Sequence, residues 1–448
     1  MLATTLKGPK LPPIIQLIEA IARPTQRLDE YAKQYGDIFI SKLSGFRPFV
    51  LFSHPQAIQQ ILTADPTLFD SGVANQMLNP LVGDCSLLLL DGNRHQRQRK
   101  LLTPPFHGDR MKSYGKLICE ITQEVMNKQA AGTIFSMRSA MQEISLRVIL
   151  KAVFGLDETE RFSRLRKLLS SILDSVGSPL SSTLLFVPSL QKDLGAWSPW
   201  GKFVRQKQEI DRLIYAEIHE RREQNNTSGE DILSLMMSAT DEAGQHMTDE
   251  ELKDELMTLL FAGHETTASA LAWAFYWLHK LPEVKAKLLK ELNSLGSNFD
   301  PNEAVKMPYL TAVCQETLRI YPIAMFTFAR IPKAPYQVMG YEFAAGTQLT
   351  PCIYLTHQRE DIYPEPKKFK PERFLERQFS PYEYLPFGGS NRRCIGLAFA
   401  MFEMKLVLAT IMSQWQMDIA ETTPVQPVRR GITLAPSGGV KMTILGKQ

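Results

Sequence analysis

The chain has 448 residues, of which 44% are hydrophobic and 22% charged, and its 51 basic and 47 acidic side chains give a formal net charge of +4. A chain of this length and composition buries a large core, and so small a positive excess does not indicate a nucleic-acid-binding protein. The five cysteines are scattered without paired spacing, which argues against a disulfide framework or a CxxC zinc site and for a reducing compartment.

The first residues, MLATTLKGPKLPPIIQ, contain no apolar stretch long enough for a signal peptide or a membrane span. No linker, repeat or low-complexity block divides the sequence. We therefore expect a cytoplasmic protein without a transmembrane segment, built as a single domain over residues 1–448.

The first predicted elements are two strands at 37–53, which form a hairpin around a Ser-Gly turn. Helical periodicity dominates most of the remaining chain. It predicts helices over 94–130, 136–154, 158–177, 201–223, 283–295 and 309–320.

The strongest helix signal covers 248–281, where Thr248 and Glu251 form a capping box and Pro282 marks the end. Strand-rich and proline-rich sequence follows over 326–387, and near the carboxyl end one more helix precedes further strands. The sequence therefore predicts a mainly α fold, a helical domain with small mixed or antiparallel sheets to one side.

Cys394 lies in a glycine-rich loop, FGGSNRRCIG at 387–396, ahead of an apolar helical pattern. The N-terminus of a helix presents free N–H groups and partial positive charge, which favour a thiolate over a thiol. Gly388 and Gly389 allow the backbone to approach closely, and Phe387 can shield one side of the sulfur. Cys394 is therefore a candidate metal ligand. The other four cysteines are expected to be ordinary buried residues: Cys85, Cys119, Cys314 and Cys352.

With this loop the sequence resembles the cytochrome P-450 family, in which a cysteine thiolate holds the haem iron. Phe387, Arg392, Cys394 and Gly396 match the family motif F-x-x-G-x-R-x-C-x-G, and Ser390 stands where the family usually has glycine. Further motifs extend the resemblance over essentially the whole chain. The resemblance implies the cytochrome P-450 fold, haem b as cofactor and a monooxygenase activity.

Glu316 and Arg319 lie three residues apart on one predicted helix and therefore share a face. Such a pair is usually a solvated surface ion pair of little energetic consequence. The sequence PERF follows at 371–374, and the resemblance implies that Arg373 joins the pair in a buried network of three residues.

The long predicted helix contains AGHETT at 262–267, and a glycine with two threonines is poor helix-forming sequence. Threonine in a helix often hydrogen-bonds only to a carbonyl one turn earlier, but breaks in local propensity concentrate at functional sites. The resemblance implies that Thr266 hydrogen-bonds oxygen held at the iron and that Glu265 relays protons. His264 is expected to be a packing or surface histidine.

A basic run, RHQRQRK, begins at residue 94, and helical geometry divides it into two faces. His95 and Arg99 share one face, whereas Arg97 lies about 200° round the helix from His95. The resemblance implies that the first face meets a haem propionate, with Arg330 and Arg392 as further cationic partners.

The sequence contains no G-x-G-x-x-G motif and no flavin or nicotinamide domain, so the electrons must come from separate redox proteins. We predict a ferredoxin-type electron donor with a separate reductase, O₂ as co-substrate, no nucleic acid and a monomeric protein. The cations expected to face away from the haem and attract an acidic donor are Arg94, Arg97, Lys100 and Arg393.

The resemblance also places the walls of a substrate pocket on two segments whose residues are apolar or small. These residues are Thr258, Leu259 and Ala262 on the long helix and Ile323, Ala324, Met325, Phe326 and Thr327 after the helix of Glu316. The oily stretch at 178–200 is either a lid over this pocket or a buried core loop. The overall pattern is similar to bacterial long-chain fatty-acid hydroxylases, so we predict a long-chain fatty acid as substrate. Arg47 is either its carboxylate partner or a plain surface arginine.

Several alternative functions stay open on the sequence alone. A terpenoid hydroxylase would use the same apolar pocket. A haem-dependent peroxide-rearranging enzyme or peroxygenase is disfavoured, because such relatives usually lack the Glu265–Thr266 acid–alcohol pair. A non-catalytic haem or lipid carrier would not need this pair, and a helical interaction protein would not match so many motifs in order.

Overall fold

The computed structural model describes residues 6–106, 110–155, 159–177, 191–224, 229–296 and 299–448. Seventeen α-helices dominate these residues, which confirms the predicted mainly α class. They are α1 Pro13–Ala22, α2 Pro24–Tyr35, α3 Pro55–Thr63, α4 Asn79–Val82, α5 Gly92–Leu102, α6 Arg110–Asn127, α7 Met137–Phe154, α8 Glu160–Gly177, α9 Pro199–Glu223, α10 Ile232–Ser238, α11 Asp249–Lys280, α12 Pro282–Asn293, α13 Pro301–Ala304, α14 Pro308–Ile320, α15 Ile353–His357, α16 Arg373–Glu376 and α17 Leu397–Gln414.

Twelve short strands form five small sheets within the described residues. The strands are β1 Ile38–Ser41, β2 Phe49–Phe52, β3 Phe69–Asp70, β4 Ile134–Ser136, β5 Ile331–Pro332, β6 Tyr336–Val338, β7 Tyr341–Phe343, β8 Gln348–Pro351, β9 Trp415–Ile419, β10 Pro427–Arg430, β11 Thr433–Pro436 and β12 Lys441–Lys447. The strand orders are β1-β2-β8, β4-β12-β9, β3-β5, β6-β7 and β10-β11.

The predicted hairpin at 37–53 is confirmed. Strands β1 and β2 are antiparallel, with Ile38 opposite Phe52, and Gly45 in the connection has a φ of 82°. Strand β8 extends this sheet by pairing with β2 in parallel. A second hairpin, β10-β11, packs against α1, α2 and the long helix α11.

Helix α11 forms the centre of the fold. The Thr248 hydroxyl accepts a hydrogen bond from the Glu251 N–H at 3.2 Å, and the Glu251 carboxylate accepts one from the Thr248 N–H at 2.9 Å. This confirms the predicted capping box. Helix α11 packs along α7, and both helices are buried on most sides, because their sequences are apolar around most of the helix.

The predicted helix over 94–130 is wrong in one respect, because it is two helices. Helix α5 ends at Leu102, a 3₁₀ turn covers Pro104–Phe106, and α6 begins at Arg110. Proline lacks the N–H that continues a helix, so the two adjacent prolines end α5. Helices α1, α2 and α3, near the amino terminus, were not predicted.

The oily stretch at 178–200, expected to be either a lid or a buried core loop, falls largely outside the described residues, which resume at 191. Just before α9, Trp197 is 79% exposed. Near the carboxyl end, α17 is one helix long and apolar enough to cross a membrane by length and composition. Because 56% of this helix is buried inside the fold, it also fits the description of a core helix.

Candidate active site

Cys394 lies at the end of a tight loop that leads into α17. The Cys394 N–H donates to the Phe387 carbonyl oxygen at 3.0 Å, and a 3₁₀ turn at Ser390–Arg392 fills the space between them. Ser390 has a φ of 60°, in the left-handed region that favours glycine. Gly396 is the N-cap of α17, so the loop brings Cys394 to the N-terminus of that helix.

The Cys394 thiol is solvent-accessible but closely surrounded by protein. Burial raises the pKa of this thiol, while the Gly396 N–H, Arg99 and Arg393 act to lower it. Burial alone dominates at Cys314 and Cys352, where it raises the pKa to about 12. Only Cys394 therefore combines access with neighbours that stabilise a thiolate among these three cysteines.

Three arginines and a histidine gather near this loop. Arg392 donates to an Asp91 carboxylate oxygen at 2.5 Å, and Arg330 donates to the Ser71 hydroxyl at 3.1 Å. Burial and the neighbouring Arg392 lower the pKa of Arg330 to about 10. Asp91 was not predicted from the sequence, because nothing local marks it as the partner of an arginine 301 residues away.

His95 and Arg99 face this cluster from α5. His95 is buried, and burial together with Arg392, Arg99 and Arg330 lowers its pKa to about 3. Its Nδ1 atom has no hydrogen-bond partner within the described part of the chain. The pKa of Arg99 is also lowered by burial, and the same part of the chain supplies it with no ion pair. The cluster thus holds more buried positive charge than Asp91 can neutralise.

In the middle of α11, Thr266 and Ala262 lie on an accessible stretch of a helix that is otherwise largely buried. The Thr266 hydroxyl donates to the Ala262 carbonyl oxygen at 2.6 Å, the one-turn-back bond typical of threonine in a helix. His264 is buried, in agreement with packing.

The Glu265 carboxylate is engaged by α7. Arg138 forms an ion pair with it, and Gln142 donates to its other oxygen at 2.9 Å. The Ser269 hydroxyl donates at 3.3 Å, and the Arg430 Nε lies 3.9 Å away. Arg138 and Gln142 come from another helix and Arg430 from a strand, so the sequence motif alone could not reveal these three partners.

Glu316, Arg319 and Arg373 form a buried network. Two Arg319 nitrogens donate to the Glu316 carboxylate at 2.6 and 2.9 Å, and the Arg373 Nε donates at 3.1 Å. The side chains of Glu316 and Arg319 are 0% exposed. This excludes the alternative of a solvated surface pair.

His357, which the sequence analysis missed, joins this network to the cysteine loop. Arg319 donates to the His357 carbonyl oxygen at 2.8 Å. The His357 Nε2 accepts from the Leu385 N–H at 3.0 Å, two residues before Phe387. The network therefore fixes the segment from which the Cys394 loop begins.

The predicted pocket residues fall into two groups. Thr258, Leu259, Ile323 and Met325 are buried, and the Thr258 hydroxyl is 2.7 Å from the Ser86 hydroxyl. Ala262, Ala324, Phe326 and Thr327 are partly or fully accessible.

Met325 and Phe326 also line a cleft, partly open to solvent, between α1, α2, β1, β2 and β10, here called the amino-terminal cleft. Its other lining residues are Gln16, Ala20, Pro24, Arg27, Leu28, Tyr31, Ser41, Leu43, Phe49, Leu51 and Arg429.

The predicted basic patch is reduced by internal ion pairs. Arg97 was expected to face a partner, but its guanidinium pairs with Asp241 at 2.6 Å and Glu251 at 2.8 Å. Lys100 pairs with Glu242 at 2.5 Å, although both side chains are largely exposed. Carboxylates more than 140 residues away in sequence thus compensate the charge of Arg97, and its part in binding an electron donor stays a prediction.

Comparison with known proteins identifies the family. The sequence profile of cytochrome P450 matches residues 6–442. The chain belongs to the cytochrome P450 family. It is therefore a haem-thiolate monooxygenase, an oxidoreductase that uses haem b, O₂ and separate redox partners.

Two mycobacterial relatives cover nearly the whole chain. Cytochrome P450 135B1 of Mycobacterium tuberculosis is 35% identical over 98% of this chain and 90% of its own. Cytochrome P450 138 of the same organism is 31% identical over 99% of this chain and 96% of its own. Neither description names a substrate.

Solved structures share the fold. Cyanobacterial CYP120A1 with bound retinoic acid has a TM-score of 0.83 and 25% identity, covering 97% of this chain and 96% of its own. The haem domain of cytochrome P450DA has a TM-score of 0.85 and 23% identity, covering 98% and 97%.

The residues of the site fit haem b. The group carries two propionates, and the cluster of His95, Arg99, Arg330 and Arg392 has buried positive charge and an unpartnered ring nitrogen to receive them. An accessible cysteine at a helix N-terminus fits the iron.

Proposed function

We propose that this cytochrome P450 hydroxylates a long-chain fatty acid at a C–H bond. The observation that carries this proposal is the amino-terminal cleft, whose walls are mostly apolar and include Met325 and Phe326. Apolar walls favour an apolar ligand, because burial stabilises by roughly 25 cal/mol per Å² of apolar surface. A structural neighbour binds retinoic acid, an apolar carboxylic acid, which supports the same class of ligand.

We further propose which residues hold the cofactor. Cys394 ligates the iron, with Phe387 and Gly396 beside its sulfur, and His95, Arg99, Arg330 and Arg392 hold the propionates. Haem, when bound, supplies the activation of O₂ and the transfer of one oxygen atom.

Thr266 and Glu265 are proposed to supply protons. The Thr266 hydroxyl is accessible and, with haem and substrate bound, would be able to turn from the Ala262 carbonyl oxygen and donate its hydrogen bond into the site. Arg138 and Gln142 hold the Glu265 carboxylate, so Glu265 would have to leave these partners to pass a proton to Thr266. Arg138 and Gln142 therefore influence proton delivery.

A terpenoid hydroxylase is the second candidate, because retinoic acid, the ligand of a structural neighbour, is isoprenoid. A peroxygenase or peroxide-rearranging activity is less well supported, since the accessible Thr266 suits proton delivery to O₂. The proposed setting is a monomeric single-domain protein in the cytoplasm, reduced by a ferredoxin-type donor with a separate reductase.

Turnover of the haem-bound protein tests the function. With a ferredoxin, its reductase and hexadecanoic acid, we expect hydroxylated acid and a low- to high-spin shift in the visible spectrum. A sesquiterpene serves as the competing substrate. Hydroxylation of the terpene with no product from any fatty acid would replace the first candidate with the second.

A further inference from the structure

The amino-terminal cleft contains two charged residues, Arg27 and Arg429, among its lining residues. Arg27 is neutralised, since it pairs with Glu19 at 2.6 Å and also with Glu30. These carboxylates hold the pKa of Arg27 above its usual range. Its positive charge is therefore already neutralised by carboxylates of the protein itself.

Arg429 has no such compensation. Its Nε donates to the Gly431 carbonyl oxygen at 3.0 Å, and no carboxylate pairs with its guanidinium within the residues that the structure describes. Burial lowers the pKa of Arg429, and no charged neighbour acts on it in either direction. A half-buried cation of this kind is costly unless a ligand supplies the missing negative charge.

The position of Arg429 suits an amphipathic ligand. It lies on β10, opposite Leu434 of β11, and the hairpin packs on α11. The Ile323 carbonyl oxygen accepts from the Leu434 N–H at 2.8 Å, which joins the hairpin to the segment of Met325 and Phe326. One wall of the cleft is thus cationic and the others are mostly apolar.

We propose that Arg429 binds the carboxylate of an apolar carboxylic acid whose hydrocarbon part lies along the apolar walls of the amino-terminal cleft. This inference rests on the proposed hydroxylation of an apolar acid and names the residue that recognises the acid group. It replaces Arg47 in that role, because Arg47 is exposed and is not one of the residues lining the cleft. A guanidinium can bind both carboxylate oxygens, which an alcohol cannot reproduce.

Matched acids and alcohols test the proposal on the haem-bound protein. The probes are hexadecanoic acid with hexadecan-1-ol, and retinoic acid with retinol. Dissociation constants come from spectral titration and from calorimetry, which does not depend on the spectrum. In Arg429→Gln we expect the dissociation constants of the acids to rise about tenfold or more, with little change for the alcohols. Arg429→Lys should keep part of the preference for acids, because it keeps the charge.

Arg47→Gln is the matched control, since it removes the same charge outside the cleft. It should leave the preference for acids unchanged. Equal loss of acid and alcohol binding in Arg429→Gln, or an acid-specific loss in Arg47→Gln, would overturn the proposal. Ligand-free Arg429→Gln should unfold at the same temperature as the unmodified protein or higher, because it removes an unpaired charge.

The outcome also separates this inference from the proposed function. Arg429-dependent binding of retinoic acid, with no binding of hexadecanoic acid, supports the inference and contradicts the fatty-acid substrate. Hydroxylation of hexadecanoic acid that is unaffected in Arg429→Gln supports the function and contradicts the inference.

Discussion

The backbone angle of Ser390 explains why the family motif has a glycine at this place. Its φ of 60° lies in the left-handed region, where a side chain costs about 1–2 kcal/mol of steric strain that glycine does not incur. The chain accepts this strain in the loop that ends at Cys394. The shape of this loop is therefore maintained at a cost in stability at Ser390.

Replacing Ser390 with glycine should relieve that strain. We expect Ser390→Gly to raise the free energy of unfolding by up to about 1 kcal/mol, since the gain is partly offset by the flexibility of glycine in the unfolded chain. Gly388→Ala is the control: its φ is 69° and its new Cβ would meet no atom closer than 3.9 Å. It should lower stability, and chemical denaturation measures both. A destabilised Ser390→Gly would show that the serine side chain is needed.

Cys394→Ala should abolish the strongly red-shifted Soret band of the reduced carbonyl complex, because no other thiolate would reach the iron. Cys352→Ala is the control, since Cys352 is fully buried away from solvent and should leave the spectrum intact. A thiolate-type spectrum in Cys394→Ala would contradict the proposed ligand.

Among the helices, α14 and α11 carry different parts of the site. Helix α14 supplies Glu316 and Arg319, which hold the segment before the cysteine loop through His357. Helix α11 supplies the accessible Thr266. One helix therefore shapes the cysteine loop, and the other carries the residue that we propose takes part in the chemistry.

Glu316→Gln should destabilise the protein by about 3–5 kcal/mol, because it leaves two buried arginines without a carboxylate. We expect little haem-bound protein on expression. Glu209→Gln is a matched control, since Glu209 and Arg212 form the same Glu–Arg pair at the same spacing on an exposed helix face. It should cost less than about 1 kcal/mol. Full haem incorporation in Glu316→Gln would contradict a folding role.

Thr266→Ala should still bind haem and substrate and still consume electrons. More of those electrons should appear as hydrogen peroxide, because proton delivery to oxygen fails. Thr267→Ala, which alters the buried neighbouring threonine, should leave the product yield per electron close to normal. An unchanged yield in Thr266→Ala would place the proton route elsewhere.

The sequence predicted features that depend on local spacing, and it missed features that depend on distant packing. The capping box of α11 and the hairpin at 37–53 were visible because their residues are neighbours in the chain. The pairing of Arg97 with Asp241 joins residues 144 positions apart, and the role proposed for Arg429 depends on the cleft that folding forms around it. Neither the ion pair nor the cleft leaves a pattern among neighbouring residues of the sequence.

Across the whole molecule, the surface charges available to a redox partner are fewer than the sequence suggests. Arg94 and Arg393 are exposed, whereas Arg97 is tied into ion pairs.

Arg94→Gln should slow reduction by an acidic ferredoxin, because it removes an exposed positive charge. Raising the salt concentration should slow reduction of the unmodified protein as well, because the Debye length is only about 10 Å at 0.1 M. Stopped-flow reduction measures both. Rates independent of salt and of Arg94 would exclude this surface.

The buried position of His357 also limits the pH range over which the fold is fully stable. Burial and the charge of Arg319 lower its pKa from 6.5 to about 3, so the folded protein keeps this ring neutral. The unfolded chain binds a proton there below pH 6.5, so the stability that neutral His357 provides is complete above that pH and is lost as the pH falls towards 3. At pH 5 the loss amounts to about 2 kcal/mol. The residue that joins the arginine network to the cysteine loop thus also makes that junction sensitive to acid.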